Sequence, residues 1–268
     1  MHLRKNAGTQ IKFVAQQINE NNENCWIESH KHRVRLNDLP PEAEYFFSIR
    51  DPITRFKSAF YSRKRKGQPR IFIDWSLEEK EIFSNFEHAN DLAEALFDDS
   101  SRGSLAFGAM KATRHLGTQQ YDWFEQKGFF LQSRPPLIIL RQENLADDIR
   151  RLCHLLDLKK PIKMTDDKRL AHTNDYYGVP ELSEKAKHNL RVWYAQDFEF
   201  YKQCCGWIRD NFDAMRVTGL ASRERCRLYA LAREGVADQI AVEARRWRAD
   251  DGVVVNGRSV DRRQRGRH

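Results

Sequence analysis

Cysteine is scarce in this chain. There are five in 268 residues, without regular spacing, and two of them, Cys204 and Cys205, are adjacent. That pattern gives neither a disulfide framework nor a cysteine-based zinc module, and no metal site is expected. It points to a reducing, cytoplasmic type of compartment. No apolar run is long enough to span a bilayer, and no secretory signal pattern opens the sequence. The triphosphate-binding spacing GxxxxGK[ST] is missing. Internal repeats are missing too. Lysine stops at Lys202, after which arginine takes over. The composition of residues 215–268 predicts an Arg-rich, partly disordered tail behind a single domain over 1–214.

What is present is positive charge. The formal net charge is +8 and the estimated pI about 9.3, which favours an anionic partner: phosphate, sulfate, an acidic glycan, nucleic acid or a membrane surface. Nucleic acid is not the expected partner, because no aromatic–basic RNA-recognition motif and no zinc module accompany the charge.

Three stretches are strand candidates. "YFFSI" (Tyr45 to Ile49) and "LIIL" (Leu137 to Leu140) are short and apolar, as buried parallel strands are. "HKHRVRL" alternates, with His30, His32, Val34 and Leu36 on one face. Helices are expected where apolar positions recur at helical spacing: Ile11, Val14 and Ile18; Ile53, Phe56 and Phe60; Leu145, Ile149, Leu152 and Leu156. Asp51-Pro52 reads as an N-cap with proline at the first helical position. Ser76 and Glu79 form a capping box. Ser183 opens one late helix running past Tyr201. Strand–turn–helix units of this kind predict an α/β fold: a parallel sheet flanked by helices, with a helical insertion.

Two turns carry chemistry. In "HLRKNAGTQ", Ala7 and Gly8 keep the backbone narrow. Lys5 supplies a charge, Thr9 a hydroxyl, and the helix behind them a positive dipole end. In "YFFSIRDPITRFKSAF", Arg50 stands at the carboxyl end of a strand, where ligands bind in open α/β sheets, and Ser58 lies on the following helix. Arg50 suits a phosphate or a salt bridge to a carboxylate such as Asp51. Arg55 is expected to be structural and to pair with Asp51.

These two stretches resemble the cofactor signatures of the sulfotransferase superfamily. The first is similar to a 5′-phosphosulfate loop of the form "HIPKTGGTS", the second to the 3′-phosphate motif "RDPxxRxxSxF". Arg4 and Asn6 stand where proline and threonine are usual. "LIILRQENLADDI", through Glu143, Asn144 and Leu145, and "LSEKAKHNLRVWYAQDFEFY" resemble later segments, so the resemblance covers about residues 2–205. It implies a fold related to nucleotide kinases, although the strand expected before the first loop is nearly absent. It also implies the co-substrate 3′-phosphoadenosine 5′-phosphosulfate (PAPS), with no metal. Arg4, Lys5, Asn6, Ala7, Gly8, Thr9 and Gln10 would then hold the 5′-phosphosulfate, and Arg50 and Ser58 the 3′-phosphate.

"SHKHRV" is similar to the "HGHV" stretch of the heparan and uronyl 2-O-sulfotransferases, which implies His32 as the base and His30 as its neighbour or an acceptor contact; the resemblance of the first loop implies Lys5 as a second catalytic group, leaning on the bridging oxygen as charge builds there. A core histidine is the alternative for His32, and Glu28 the reserve base. "YSRKRKGQPR" offers Arg63 and Arg65, and "TRHLGTQQYDWF" offers Arg114, His115 and Gln119, as contacts to a hydroxyl acceptor, expected to be a glycan. "KRLAHTND" resembles a loop that closes over the nucleotide. Two other readings stay open: a basic nucleic-acid-binding protein, and a truncated, inactive relative.

Overall fold

Phe46, Phe47 and Ile49 form the strand β1 (Phe46–Ile49), and Ile138 to Arg141 form β2 (Ile138–Arg141). In the computed structural model the two pair in parallel, Phe46 against Ile138 through Ile49 against Arg141. The structure describes residues 1–218, except 2, 23–24, 70, 114, 125–127, 166 and 168–175. Alternation along the strands sorts the side chains. Phe47, Ile49 and Ile139 enter one apolar cluster with Trp123, Phe124 and Phe200. Ile138 and Leu140 enter another with Ile11, Val14, Ile18, Ile149 and Leu152.

The remainder of the described chain is mostly helical. In order come α1 (Gly8–Asn21), β1, α2 (Pro52–Lys64), α3 (Leu77–Asn85), α4 (Ala89–Ala95), α5 (Ser101–Ala112), α6 (Phe130–Ser133), β2, α7 (Leu145–Leu155), α8 (Glu184–Trp193) and α9 (Ala195–Thr218). The fold is thus mixed α/β, with α2 to α6 inserted between the strands. Parallel strands need such a crossover. A third cluster, built on α2 to α5 and α8, fills this helical layer with Phe56, Phe60, Phe86, Leu92 and Leu190.

Several local signals read as expected. Asp51 caps α2, its carboxylate accepting from the Thr54 N–H at 2.9 Å. Ser76 and Glu79 cap α3 reciprocally. The late segment is not one helix but two, because Tyr194 breaks it.

"HKHRVRL" does not form a strand. Its exposure does alternate, His30, His32 and Val34 half-buried and Lys31, Arg33 and Arg35 exposed, but the chain turns at Lys31–Val34 and enters a 3-10 turn at Leu36. Both sides of β1 are already taken. β2 lies on one side. On the other, the Met1 amine donates to the Phe46 carbonyl at 2.6 Å and Asn6 to the Ser48 carbonyl at 2.9 Å.

Contacts group residues 1–222 into one compact unit. The expected boundary at 214/215 falls inside α9, and the expected tail beyond Thr218 lies outside the described residues. No described helix is long and apolar enough to cross a membrane.

Candidate functional site

The loop before α1 is built on two left-handed residues, Lys5 at φ 66° and Ala7 at φ 56°. Non-glycine residues seldom adopt this conformation; Lys66, Phe97, His115 and Asp157 do so elsewhere in the chain, but here two occur within three residues. Such turns gather N–H groups into a concave, anion-accepting surface. α1 then starts with no side-chain cap and no acidic residue in its first turn. The positive dipole end of the helix is therefore not offset by a cap or an acidic residue of its own first turn.

β1 ends beside this loop. Arg50 packs its Nε against the Thr54 hydroxyl at 3.0 Å and its Nη1 against the Lys5 carbonyl at 3.4 Å. An arginine follows β1 (Arg50) and another ends β2 (Arg141), but the two differ. Arg141 is spent on Asp148, at 3.0 and 2.8 Å. Arg50, Lys5 and Arg65 make no ion pair among the described residues. Burial, then the fields of Arg50 and Arg65, push the Lys5 ammonium down to about 8. Burial likewise lowers Arg50 and Arg65, and the Arg65 Nε is buried without a hydrogen-bond partner. Thr54, Ser58, Tyr61 and Arg65 recur at helical spacing along one stripe of α2 and its C-cap. Tyr176 packs on that stripe, its ring 5.8 Å from that of Tyr61 and 5.5 Å from the Lys57 ammonium.

A short 3-10 turn, Gln120–Trp123, holds the two basic turns together. The Gln120 Oε1 accepts from Asn6 Nδ2 at 2.7 Å and from the Arg50 N–H at 2.9 Å. Its Nε2 donates to the Arg50 carbonyl at 2.8 Å. Its own N–H donates to Asp197 on α9 at 2.6 Å. Glu143, just after β2, accepts from the Asp51 N–H at 2.8 Å.

The sequence-predicted residues thus divide. Lys5, Ala7, Gly8, Thr9, Arg50 and Ser58 lie on the two facing turns and the helices behind them. The side chains of Asn6 and Gln10 point elsewhere: Asn6 is fully buried against Ser48 and Gln120, and Gln10 donates to the Thr165 carbonyl. Arg4 is half-buried next to them. Arg63 is not an acceptor contact. It is buried in a bidentate pair with Glu79 and bonds the carbonyls of Ile73 and Asp74, which engages four of its five N–H donors. Arg65 lies near enough to Lys5 for its charge to act on it. Arg55 pairs not with Asp51 but with Asp197 at 3.4 Å, and donates to the Thr118 carbonyl.

His30 meets Glu28 at 3.5 Å. The His32 carbonyl accepts from the Trp123 indole at 2.9 Å, which ties its turn to the Gln120 segment. His115 sits half-buried at φ 78° after α5. Arg114 and the loop Lys168–Asp175 lie outside the described residues. Sequence reasoning picked out Gln119 and missed its neighbour Gln120, as well as Asp197 and Tyr176. All three act through contacts that span at least 70 residues or lie beside an undescribed loop, so no local spacing announces them.

Two clefts, of about 600 and 450 Å³, flank the exposed Trp26 at the far end of α1. They hold no convergent cations and are not where the basic turns meet. No group of three or more His, Cys, Asp or Glu side chains able to hold a metal occurs among the described residues. No family model matches the chain, and neither does any curated protein or solved structure.

Proposed function

We propose that the chain is a group transferase whose co-substrate carries two separate anionic groups on a nucleoside. More particularly, we read it as a PAPS-dependent sulfotransferase with a P-loop-kinase-like layout, acting on a carbohydrate hydroxyl in a reducing, cytoplasmic compartment. One observation carries this reading: Lys5, in the loop before the uncapped start of α1, feels the charges of both Arg50 and Arg65, and none of the three makes an ion pair among the described residues. Glu143 and Asp51 favour the Arg50 charge, but like charges held near one another without an ion pair are costly, and a bound anion would stabilise all three.

In this reading the α1 loop holds the phosphosulfate and Arg50 with Ser58 the 3′-phosphate. His32 takes the proton of the attacking hydroxyl as the new S–O bond forms and the bond from sulfur to the phosphate oxygen breaks. Lys5 meets the charge that builds on that leaving oxygen. The test is calorimetric titration and thermal shift with 3′-phosphoadenosine 5′-phosphate (PAP). At about 100 times Kd, binding stabilises by about 2.7 kcal/mol, a rise of about 5–10 °C for a unit of this size. A flat melting temperature at millimolar PAP overturns the reading.

A further inference from the structure

Gln120 belongs to neither basic turn, yet its side chain bonds both. It has three polar contacts: Asn6 at 2.7 Å in the first turn, and the Arg50 N–H at 2.9 Å and carbonyl at 2.8 Å in the second. Gln120 is 1 % exposed; its bond to Asn6 is buried and its two bonds to Arg50 are half-buried. The first turn is bonded back to β1, since the Ser48 hydroxyl donates to the Asn6 carbonyl at 2.5 Å. The clasp itself is anchored from behind. Asp197 accepts from the backbone N–H groups of Gln120 and Tyr121 at 2.6 and 3.2 Å, and its other oxygen faces Arg55.

A primary amide is the one small neutral group that can accept two such bonds and donate a third here. A carboxylate would repel the Arg50 carbonyl, and an apolar side chain would leave the Asn6 amide and the Arg50 N–H and carbonyl each short of one hydrogen bond.

We propose that Gln120 is a positioning residue that fixes the spacing of the two anion-binding turns, so that one ligand bearing two anionic groups is gripped at both ends at once. The inference rests on the donor reading above and adds to it a division of labour. The cations supply attraction. Gln120 supplies the pre-set distance that makes the second contact intramolecular. A rigid pair of subsites gains affinity for a bis-anion far beyond either contact alone, and loses that gain when the subsites move independently. A ligand with one anionic group uses one turn and does not sense the spacing.

Gln120→Met, close in size and without hydrogen-bonding groups, tests this by titration with PAP and with adenosine 5′-monophosphate. PAP affinity should fall by roughly 10–100-fold, while that for the monophosphate changes by less than about threefold. Equal losses for both nucleotides would show general structural damage and overturn the proposal. Hydrogen exchange supplies a ligand-free readout: peptides over residues 4–10 and 48–54 should both exchange faster in the variant. Unchanged protection in both overturns the clasp. A wild-type protein that binds neither nucleotide sinks the donor reading instead, and the exchange result then decides the clasp alone. If the Met variant does not fold, Gln120→Glu replaces it. That variant keeps the two accepted bonds and loses the donated one, with the same split expected between the nucleotides.

Discussion

Lys5 is held in a place that disfavours its own charge. Burial is the main cause, with Arg50 and Arg65 adding repulsion, and the result is an ammonium that titrates near 8 rather than at its ordinary 10.5. Its folded value lies below its unfolded one, so between about pH 8 and 10.5 the unfolded chain binds the extra proton. This group's contribution to stability therefore rises with pH across that window, and below it the charge is a standing cost. An anion repays that cost, because it favours the charged form. Affinity for PAP should thus decline as pH rises above about 8 in the free protein. Lys5→Met should bind more weakly at pH 7 and lose that decline. The check is calorimetric Kd across pH 7–10; an identical pH profile in the variant would mean that another group titrates. The lysine itself was legible in the sequence. Its altered charge was not, because Arg65 comes from the far end of α2, and only packing sets the burial.

At the scale of the element, the start of α1 is where sequence and structure agree and also strain against each other. Ala7 sits at the N-cap with φ 56° and ψ 19°. A side chain there clashes with the backbone, at a cost of roughly 1–2 kcal/mol. Ala7→Gly removes the clash and adds freedom to the unfolded chain, so the two effects oppose. The expected net change is a gain of up to about 1 kcal/mol. Ala7→Val, branched at Cβ, should instead lose about 2 kcal/mol or more. Urea denaturation of the three proteins measures both. A valine variant as stable as the wild type would show that the left-handed turn is not what starts this helix. Element types were readable wherever a cap or a period spoke: Asp51-Pro52, Ser76 with Glu79, the apolar stripe of α7. "HKHRVRL" shows the limit. Its alternation correctly gives which side chains face inward, but a strand also needs a free edge to pair with, and β1 has none to offer it.

At the scale of the molecule, the two-stranded sheet is too small to hold the described unit together alone. The helical layer of α2 to α5 and α8 has its own apolar cluster, separate from the two that line the sheet. Arg55 and Asp197 join these parts. Arg55 is 1 % and Asp197 0 % exposed. Arg55 projects from α2 and packs over the Tyr194 ring at 5.7 Å. Asp197 projects from α9 and also holds the Gln120 turn. The sequence offered Asp51 as the partner of Arg55 because it lies four residues away. The real partner lies 142 residues away, and Asp51 is engaged in capping. Asp197→Asn keeps the size and the oxygen that accepts from Gln120, but leaves the Arg55 guanidinium buried without a counter-charge. Breaking one half of a buried pair in this way costs roughly 3–5 kcal/mol, a fall in Tm of about 6–20 °C. Arg55→Met placed on top of Asp197→Asn removes the stranded charge, so the double variant should be more stable than Asp197→Asn alone. Calorimetry on the three proteins decides it. If Asp197→Asn melts within about 2 °C of the wild type, or if the double variant melts lower than Asp197→Asn, then the ion pair is not what fastens the helical layer to the sheet.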